Sequence, residues 1–164
     1  MSERGLVRIE DGVMFEREHG VGTVVAYLLH VFPGSTVIPL ALQSTMQDTR
    51  AIALGHALAD GMDAHTVVII SADMSHYLPE AKALENDRLT LGKLASFDGS
   101  ALAALNDDYV DNRPSFLAVR TLLDDLHITP HWHVLDHSIS SRYGGSNAFT
   151  TSYLTGLWSD VSAE

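Results

Sequence analysis

Residues 66–77 have the sequence Thr-Val-Val-Ile-Ile-Ser-Ala-Asp-Met-Ser-His-Tyr, and this segment indicates the fold more strongly than any other part of the chain. Its first five residues are all β-branched, which is typical of a strand. The run shows no alternation of polar and apolar residues, so it predicts a strand covered on both faces by helices. Residues 71–79 then form the loop at the carboxyl end of that strand.

Helical and extended patterns alternate on both sides of this segment. Apolar residues at helical spacing predict a helix over 21–31, which Pro33 and Gly34 end. The other predicted helices cover 47–59, 80–95, 99–105 and 114–126, and the other predicted strands cover 36–42, 129–135 and 150–158. We therefore expect one α/β domain over 1–164, with a mixed or mostly parallel sheet flanked by helices.

The composition limits the classes of function. The chain has 164 residues, with 21 acidic and 10 basic side chains and a formal net charge of −11. This charge argues against nucleic acid and anionic membrane surfaces as partners, because both require clustered cations. Without cysteine, the chain has no disulfide, no thiolate nucleophile and no Cys-ligated metal. Neither a secretory leader nor a long apolar run is visible, so we expect a soluble, cytoplasmic protein.

Asp73 and His76 are the first candidates for chemistry. Ligands of α/β proteins gather at the carboxyl ends of strands, where this loop is predicted to lie. A carboxylate three residues before a histidine can orient the imidazole and raise its basicity, as acid–base catalysis or metal ligation requires. Alternatively, Asp73 caps the next turn and His76 is a loop residue. Spacing alone does not separate the two interpretations.

Glu18, His19 and Gly20 lie at the predicted amino end of the first helix. Backbone N–H groups and the helix dipole favour an anion or an electron-rich ligand there, and Gly20 and Gly22 leave the backbone accessible. Taken alone, the segment is better explained by Glu18 complementing the dipole and His19 lying at the surface.

A third group of histidines lies late in the chain, at His131, His133 and His137. In a strand the first two share one face, but the outermost pair is too widely spaced for one small ion, so we expect no metal site here. The chain contains no G-x-G-x-x-G and no Walker-type lysine. No G-x-S-x-G supports Ser75 as a nucleophile.

Five motifs together resemble the Memo family, whose bacterial and archaeal members are called AmmeMemoRadiSam system protein B. The resemblance extends over nearly the whole chain in family order, and it rests on residues 18–22, 32–33, 37–39, 71–77 and 151–156. Glu-His-Gly and Ser-Ala-Asp-Met-Ser-His-Tyr are its most specific parts. The family fold resembles that of the class III extradiol ring-cleaving dioxygenases, the LigB type.

The resemblance implies a pocket for iron, copper or another divalent metal. It assigns His19 as a metal ligand, His76 as a ligand or acid–base residue, and Asp73 and Glu18 as their catalytic neighbours. Some family members place a cysteine near residues 110–114, where this chain offers Asp111, an oxygen ligand that favours Fe(II) over Cu(I). The family's N-terminal portion and its first histidine have no counterpart here, so the chain is expected to correspond to the C-terminal portion of the family's length.

Three hypotheses follow for function. The preferred one is a Memo-like binding module with a vestigial or incomplete metal-type pocket that takes a small anionic or aromatic ligand or a protein partner. The alternative is an Fe(II)-dependent oxidoreductase of the extradiol dioxygenase type, acting on a catechol-like substrate. In the third, the histidines are structural and the domain serves subunit assembly as a homo-oligomer, with the Val-rich first helix and Trp158 supplying the interface.

Overall fold

The computed structural model describes residues 7–9, 12, 15 and 18–160 of the chain. Over residues 18–160 the chain forms five α-helices and two strands, and they confirm the mixed α/β class. The helices are α1 (His19–Val31), α2 (Asp48–Ala59), α3 (Glu80–Ser96), α4 (Gly99–Ala103) and α5 (Arg113–Asp125). The strands β1 (His131–Ile139) and β2 (Ser152–Ser159) follow, separated by a short 3-10 helix (Ser140–Tyr143). Within the described residues, no helix has the length and apolar character needed to cross a membrane.

The sheet differs from the prediction. Among the described residues it has two strands, β1 and β2, which pair antiparallel with an irregularity between Val134 and Asp136. Residues 36–42 and 66–70 belong to no strand, although residues 66–70 run without helix, turn or bend. The strand predictions for these two segments are therefore wrong in this structure. β-branched residues favour extended backbone, but a strand also needs a neighbour that accepts its hydrogen bonds.

The helices follow the sequence pattern closely. α1 begins two residues earlier than predicted because the Glu18 side chain accepts a hydrogen bond from the Gly20 N–H at 3.1 Å and caps the first turn. α5 has Pro114 in its first turn, where a backbone N–H would have no partner within the helix, so the missing N–H of proline has no cost. One face of α5 is buried. Local signals therefore predicted these elements correctly.

Trp158 joins the sheet to the helical core. Its ring centroid lies 4.7 Å from that of the cross-strand residue Trp132 and 5.1 Å from that of Phe97, which follows α3. The indole N–H donates to the carbonyl oxygen of Leu94 at 3.1 Å. The hairpin is thus fixed against the end of α3 by aromatic packing and one hydrogen bond.

α1 and residues 66–69 contribute no buried residue to this core, whereas Ile70 is partly buried and packs against it. No residue of α1 is buried, and an open apolar cleft of about 1080 Å³ separates α1 and residues 66–70 from α5 and β2. Ala72 and Met74 also line the cleft, so it reaches the loop that follows residue 70.

Candidate functional site

The loop over residues 71–78 is held by the start of β2. The Ser152 N–H donates to the Ser75 carbonyl at 2.8 Å, and the Thr150 N–H donates to the Leu78 carbonyl at 2.8 Å. Leu78 and Thr150 form an isolated antiparallel bridge. Because backbone hydrogen bonds hold both ends of residues 75–78, the side chain of His76 projects from a fixed backbone.

Asp73 and Asp111 are brought together by a reciprocal pair of hydrogen bonds. The Asp73 N–H donates to Asp111 Oδ1 at 2.9 Å, and the Asp111 N–H donates to the Asp73 carbonyl at 3.0 Å. Both residues were site candidates, although 38 positions separate them in the sequence. The fold therefore joins the residues before α5 to the loop that contains His76.

The local electrostatics at this contact are unfavourable for a second negative charge. Partial burial raises the pKa of the Asp111 carboxyl above its ordinary value, and the neighbouring Asp73 carboxylate raises it further. The hydrogen bond from the Asp73 N–H and the charge of His76 act in the opposite direction and lower that pKa. The result is an acidic pair with His76 close enough to interact with it.

His76 is half-buried and its ring is oriented by the backbone. Nδ1 donates to the Met74 carbonyl at 2.9 Å, so in the neutral ring Nε2 carries the lone pair. The Tyr77 ring packs edge-on, with 5.2 Å between centroids. Tyr77 also has a φ of 56°, a left-handed conformation that costs free energy in a non-glycine residue and is often found at functional sites.

Glu18 and His19 lie beside this loop, at the start of α1. A Cβ built on Gly20 would lie 3.5 Å from Ser71 Oγ, so the first turn of α1 lies against the beginning of residues 71–78. Glu18 caps the helix and His19 is exposed. The Glu-His-Gly and Ser-Ala-Asp-Met-Ser-His-Tyr motifs are therefore neighbours in space.

The described residues do not by themselves assemble a metal centre. Over residues 7–9, 12, 15 and 18–160, no group of three or more His, Asp or Glu side chains has a geometry that could hold an ion. His19, His76 and Asp111 as metal ligands, and Glu18 and Asp73 as catalytic residues, remain predictions.

Two of the late histidines have separate partners. The ring Nε2 of His133 lies 2.9 Å from Ser159 Oγ, on the neighbouring strand. His137 Nε2 donates to Asp87 Oδ2 at 2.8 Å. These contacts give both side chains structural roles in the sheet and its junction with α3.

A buried network below the loop was not predicted. Asp87, which is almost completely buried, also accepts a hydrogen bond from Ser152 Oγ at 2.8 Å. Ser152 in turn holds the carbonyl of Ser75, so Asp87 supports the loop through β2. The sequence did contain a signal, because Asp87 lies at helical spacing on the buried face of α3, with Ala83, Thr90 and Leu94.

These features define a mixed α/β domain in which a loop with a histidine and a carboxylate lies beside a helix N-terminus and contacts a second carboxylate that precedes α5. A family model described as Memo-like protein matches residues 3–157. The chain belongs to the Memo-like family, as the five motifs indicated.

Three archaeal proteins named "MEMO1 family protein" are similar to this chain. The protein of Caldivirga maquilingensis is 29% identical over 117 residues, which cover 70% of this chain and 41% of the relative. The proteins of Metallosphaera sedula and Sulfurisphaera tokodaii are 24% and 27% identical, over 87% of this chain and 52% of each relative. The chain thus spans about half the length of the curated relatives that it matches.

Proposed function

We propose that this chain is a Memo-family binding module whose pocket consists of Asp73, His76 and Asp111 and takes a small ligand rich in hydrogen-bond donors. The observation that carries the proposal is the reciprocal hydrogen bonding of Asp73 and Asp111 beside His76. Carboxylate oxygens and the lone pair on His76 Nε2 are acceptors, so they suit hydroxyl or ammonium groups.

The charge of the pocket narrows the ligand class. Two neighbouring carboxylates, on a chain of net charge −11, repel a free anion. The neighbouring residues Ala72 and Met74 line the apolar cleft, which offers a surface for an aromatic ring. Of the two ligand classes predicted from sequence, an aromatic ligand with hydroxyl groups fits better than an anion.

A resident metal ion fits the residue types but not their present arrangement. His76 Nε2 and the Asp111 carboxylate are donors of the kind that Fe(II) binds. Within the described residues they do not belong to a converging group of three, so these residues alone do not hold the ion.

The alternative function is an Fe(II)-dependent oxidoreductase of the extradiol type on a catechol-like substrate. One observation favours it: His76 presents Nε2 as a base next to a carboxyl whose pKa is raised. Such a base would accept the proton of a catechol hydroxyl. This function needs further ligands that converge on the metal, beyond the contacts described above.

The test is anaerobic calorimetric titration of the purified chain with catechol, with Fe(II), and with both. We expect catechol to bind without metal. His76→Ala should weaken catechol binding by about tenfold or more, and Asp111→Asn should change the affinity for catechol. His30→Ala, an exposed histidine near the end of α1, is the matched control and should bind normally.

The outcomes separate the two functions. Catechol binding that is indifferent to His76→Ala, or no binding at all, would contradict the proposed pocket. Stoichiometric Fe(II) binding that is lost in His19→Ala and His76→Ala, followed by catechol consumption in air, would establish the oxidoreductase instead.

A further inference from the structure

A path of hydrogen bonds connects β1 to the loop that contains His76. His137 of β1 donates from Nε2 to Asp87 Oδ2 at 2.8 Å, and Ser152 Oγ donates to Asp87 Oδ1 at 2.8 Å. The Ser152 N–H donates in turn to the carbonyl of Ser75 at 2.8 Å, and the next residue in the chain is His76. Residues of β1, α3 and β2 therefore meet in one path that ends at the candidate site.

Asp87 is the buried centre of this path. It is 2% exposed and Ser152 is 1% exposed, so water does not compete for the hydrogen bond between them. A carboxylate at this depth is unfavourable unless hydrogen bonds satisfy its oxygens. His137 and Ser152 each satisfy one oxygen, and they do so from two different strands. Asp87 therefore fixes where β2 lies relative to α3.

Ser152 has one hydroxyl proton and two acceptors within reach. Its Oγ lies 2.8 Å from Asp87 Oδ1 and 3.2 Å from the carbonyl oxygen of Ser75. The carboxylate is the stronger acceptor and lies closer, so the hydroxyl donates to it. The backbone N–H of Ser152, which has a fixed direction, then holds the Ser75 carbonyl. The direction of the Ser152 side chain thus depends on Asp87, and the position of the loop depends on Ser152.

We propose that Asp87 and Ser152 are positioning residues for the ligand pocket. By fixing the backbone at Ser75, they aim the imidazole of His76 at the ligand. This inference rests on the proposed function, because the pocket at His76 is the site that they serve. His76 Nδ1 donates to the Met74 carbonyl at 2.9 Å, so the ring is anchored on the residue that precedes Ser75. A shift of the backbone at Ser75 therefore disturbs the bond that sets the tautomer of His76.

Histidine NMR of the free protein tests the positioning directly, without a ligand. The ring nitrogen shifts of isotopically labelled histidine distinguish the two neutral tautomers, and His76→Gln identifies the signals that belong to His76. At a pH where the ring is neutral, the wild type should show one tautomer, with the proton on Nδ1. Ser152→Ala and Asp87→Asn should show a mixture of both tautomers, because the loop is no longer held in one backbone position.

Thr90→Ala is the matched control for lost stability. Thr90 is fully buried on α3, about one turn from Asp87, and its hydroxyl donates to the carbonyl of Asn86 within the helix. The variant therefore loses a buried hydrogen bond that does not belong to the path to His76. Its tautomer signal should match that of the wild type, and urea unfolding measures whether its loss of stability is comparable to that of the other variants.

Calorimetric titration with catechol is the second measurement. Ser152→Ala and Asp87→Asn should weaken catechol binding by about tenfold, the lower end of the loss that is typical when the partners that orient a functional histidine are removed. Thr90→Ala should bind catechol with the affinity of the wild type, because the path to the loop is intact in that variant.

The outcomes separate this inference from the proposed function. If the wild type binds catechol and both path variants bind it equally well, the positioning role is refuted and the pocket stands. If the wild type does not bind catechol, the pocket is refuted, and the tautomer of His76 decides the positioning role alone. A single tautomer in Ser152→Ala and Asp87→Asn, or the same mixture in Thr90→Ala, would overturn that role, whereas a mixture confined to the two path variants would support it.

Discussion

Gly55 gives the sharpest test of how the helices pack. A Cβ built at this position would overlap the carbonyl oxygen of Ala118 and lie 2.6 Å from Thr121 Cβ, both on α5. Ordinary Cβ contacts begin at 3.4 Å, so Gly55→Ala requires α2 and α5 to separate by about 0.8 Å or more. Neither obstacle can move independently, since one is backbone and the other is the branch point of a stiff side chain.

The expected change in the free energy of unfolding of Gly55→Ala is the sum of two opposing effects. Overpacking of a tight contact costs about 1 to 3 kcal/mol, and the rigid neighbours place Gly55→Ala near the upper end. Replacement of glycine by alanine inside a helix stabilises the helix by about 1 kcal/mol. We therefore expect the free energy of unfolding to fall by about 2 kcal/mol, which for a chain of this size lowers Tm by about 4 to 8 °C.

Gly92→Ala is the matched control, because it makes the same chemical change inside α3. No atom lies within 4 Å of a Cβ built at Gly92, and the residue is exposed. It should stabilise the protein by about 0.5 to 1 kcal/mol through helix propensity alone. Urea unfolding followed by circular dichroism measures both variants. Equal stability of Gly55→Ala and Gly92→Ala would refute the close approach of α2 and α5.

Three further predictions concern the loop and the hairpin. Asp87→Ala should lower the free energy of unfolding by about 1 to 3 kcal/mol, because two buried hydrogen bonds lose their acceptor, and a loss below about 0.5 kcal/mol in urea would contradict the network. The raised pKa of Asp111 means that folding favours the protonated carboxyl, so its contribution to stability is present at low pH and is lost as the pH rises above the ordinary value of 3.8. The Tm of Asp111→Asn should therefore rise relative to that of wild type as the pH increases from 3 to 7. A Tm difference between the two proteins that stays constant over this range would contradict the prediction. Gly156→Ala should displace the Trp132 indole, which a Cβ would overlap, and should change the near-ultraviolet circular dichroism while the far-ultraviolet spectrum stays similar.

Local sequence determined most of the helices and the approximate positions of the two final strands, but not their antiparallel pairing. α1 and α5 follow from apolar spacing together with Pro33 and Pro114, whose effects operate within one or two turns. The motif over residues 71–77 also identified the loop that contains Asp73 and His76, and the family comparison confirms the resemblance that it carries. Each of these signals lies within a short segment, so one sequence is enough to find it.

Tertiary structure decided which groups find partners. The β-branched residues 66–70 satisfy every local requirement of a strand, yet pairing depends on a neighbour that the segment does not encode. In the same way, the contact of Asp73 with Asp111 and the burial of Asp87 arise from elements that are distant in sequence. Hydrogen-bond partners and burial are properties of how the elements meet, whereas periodicity and capping belong to the elements themselves.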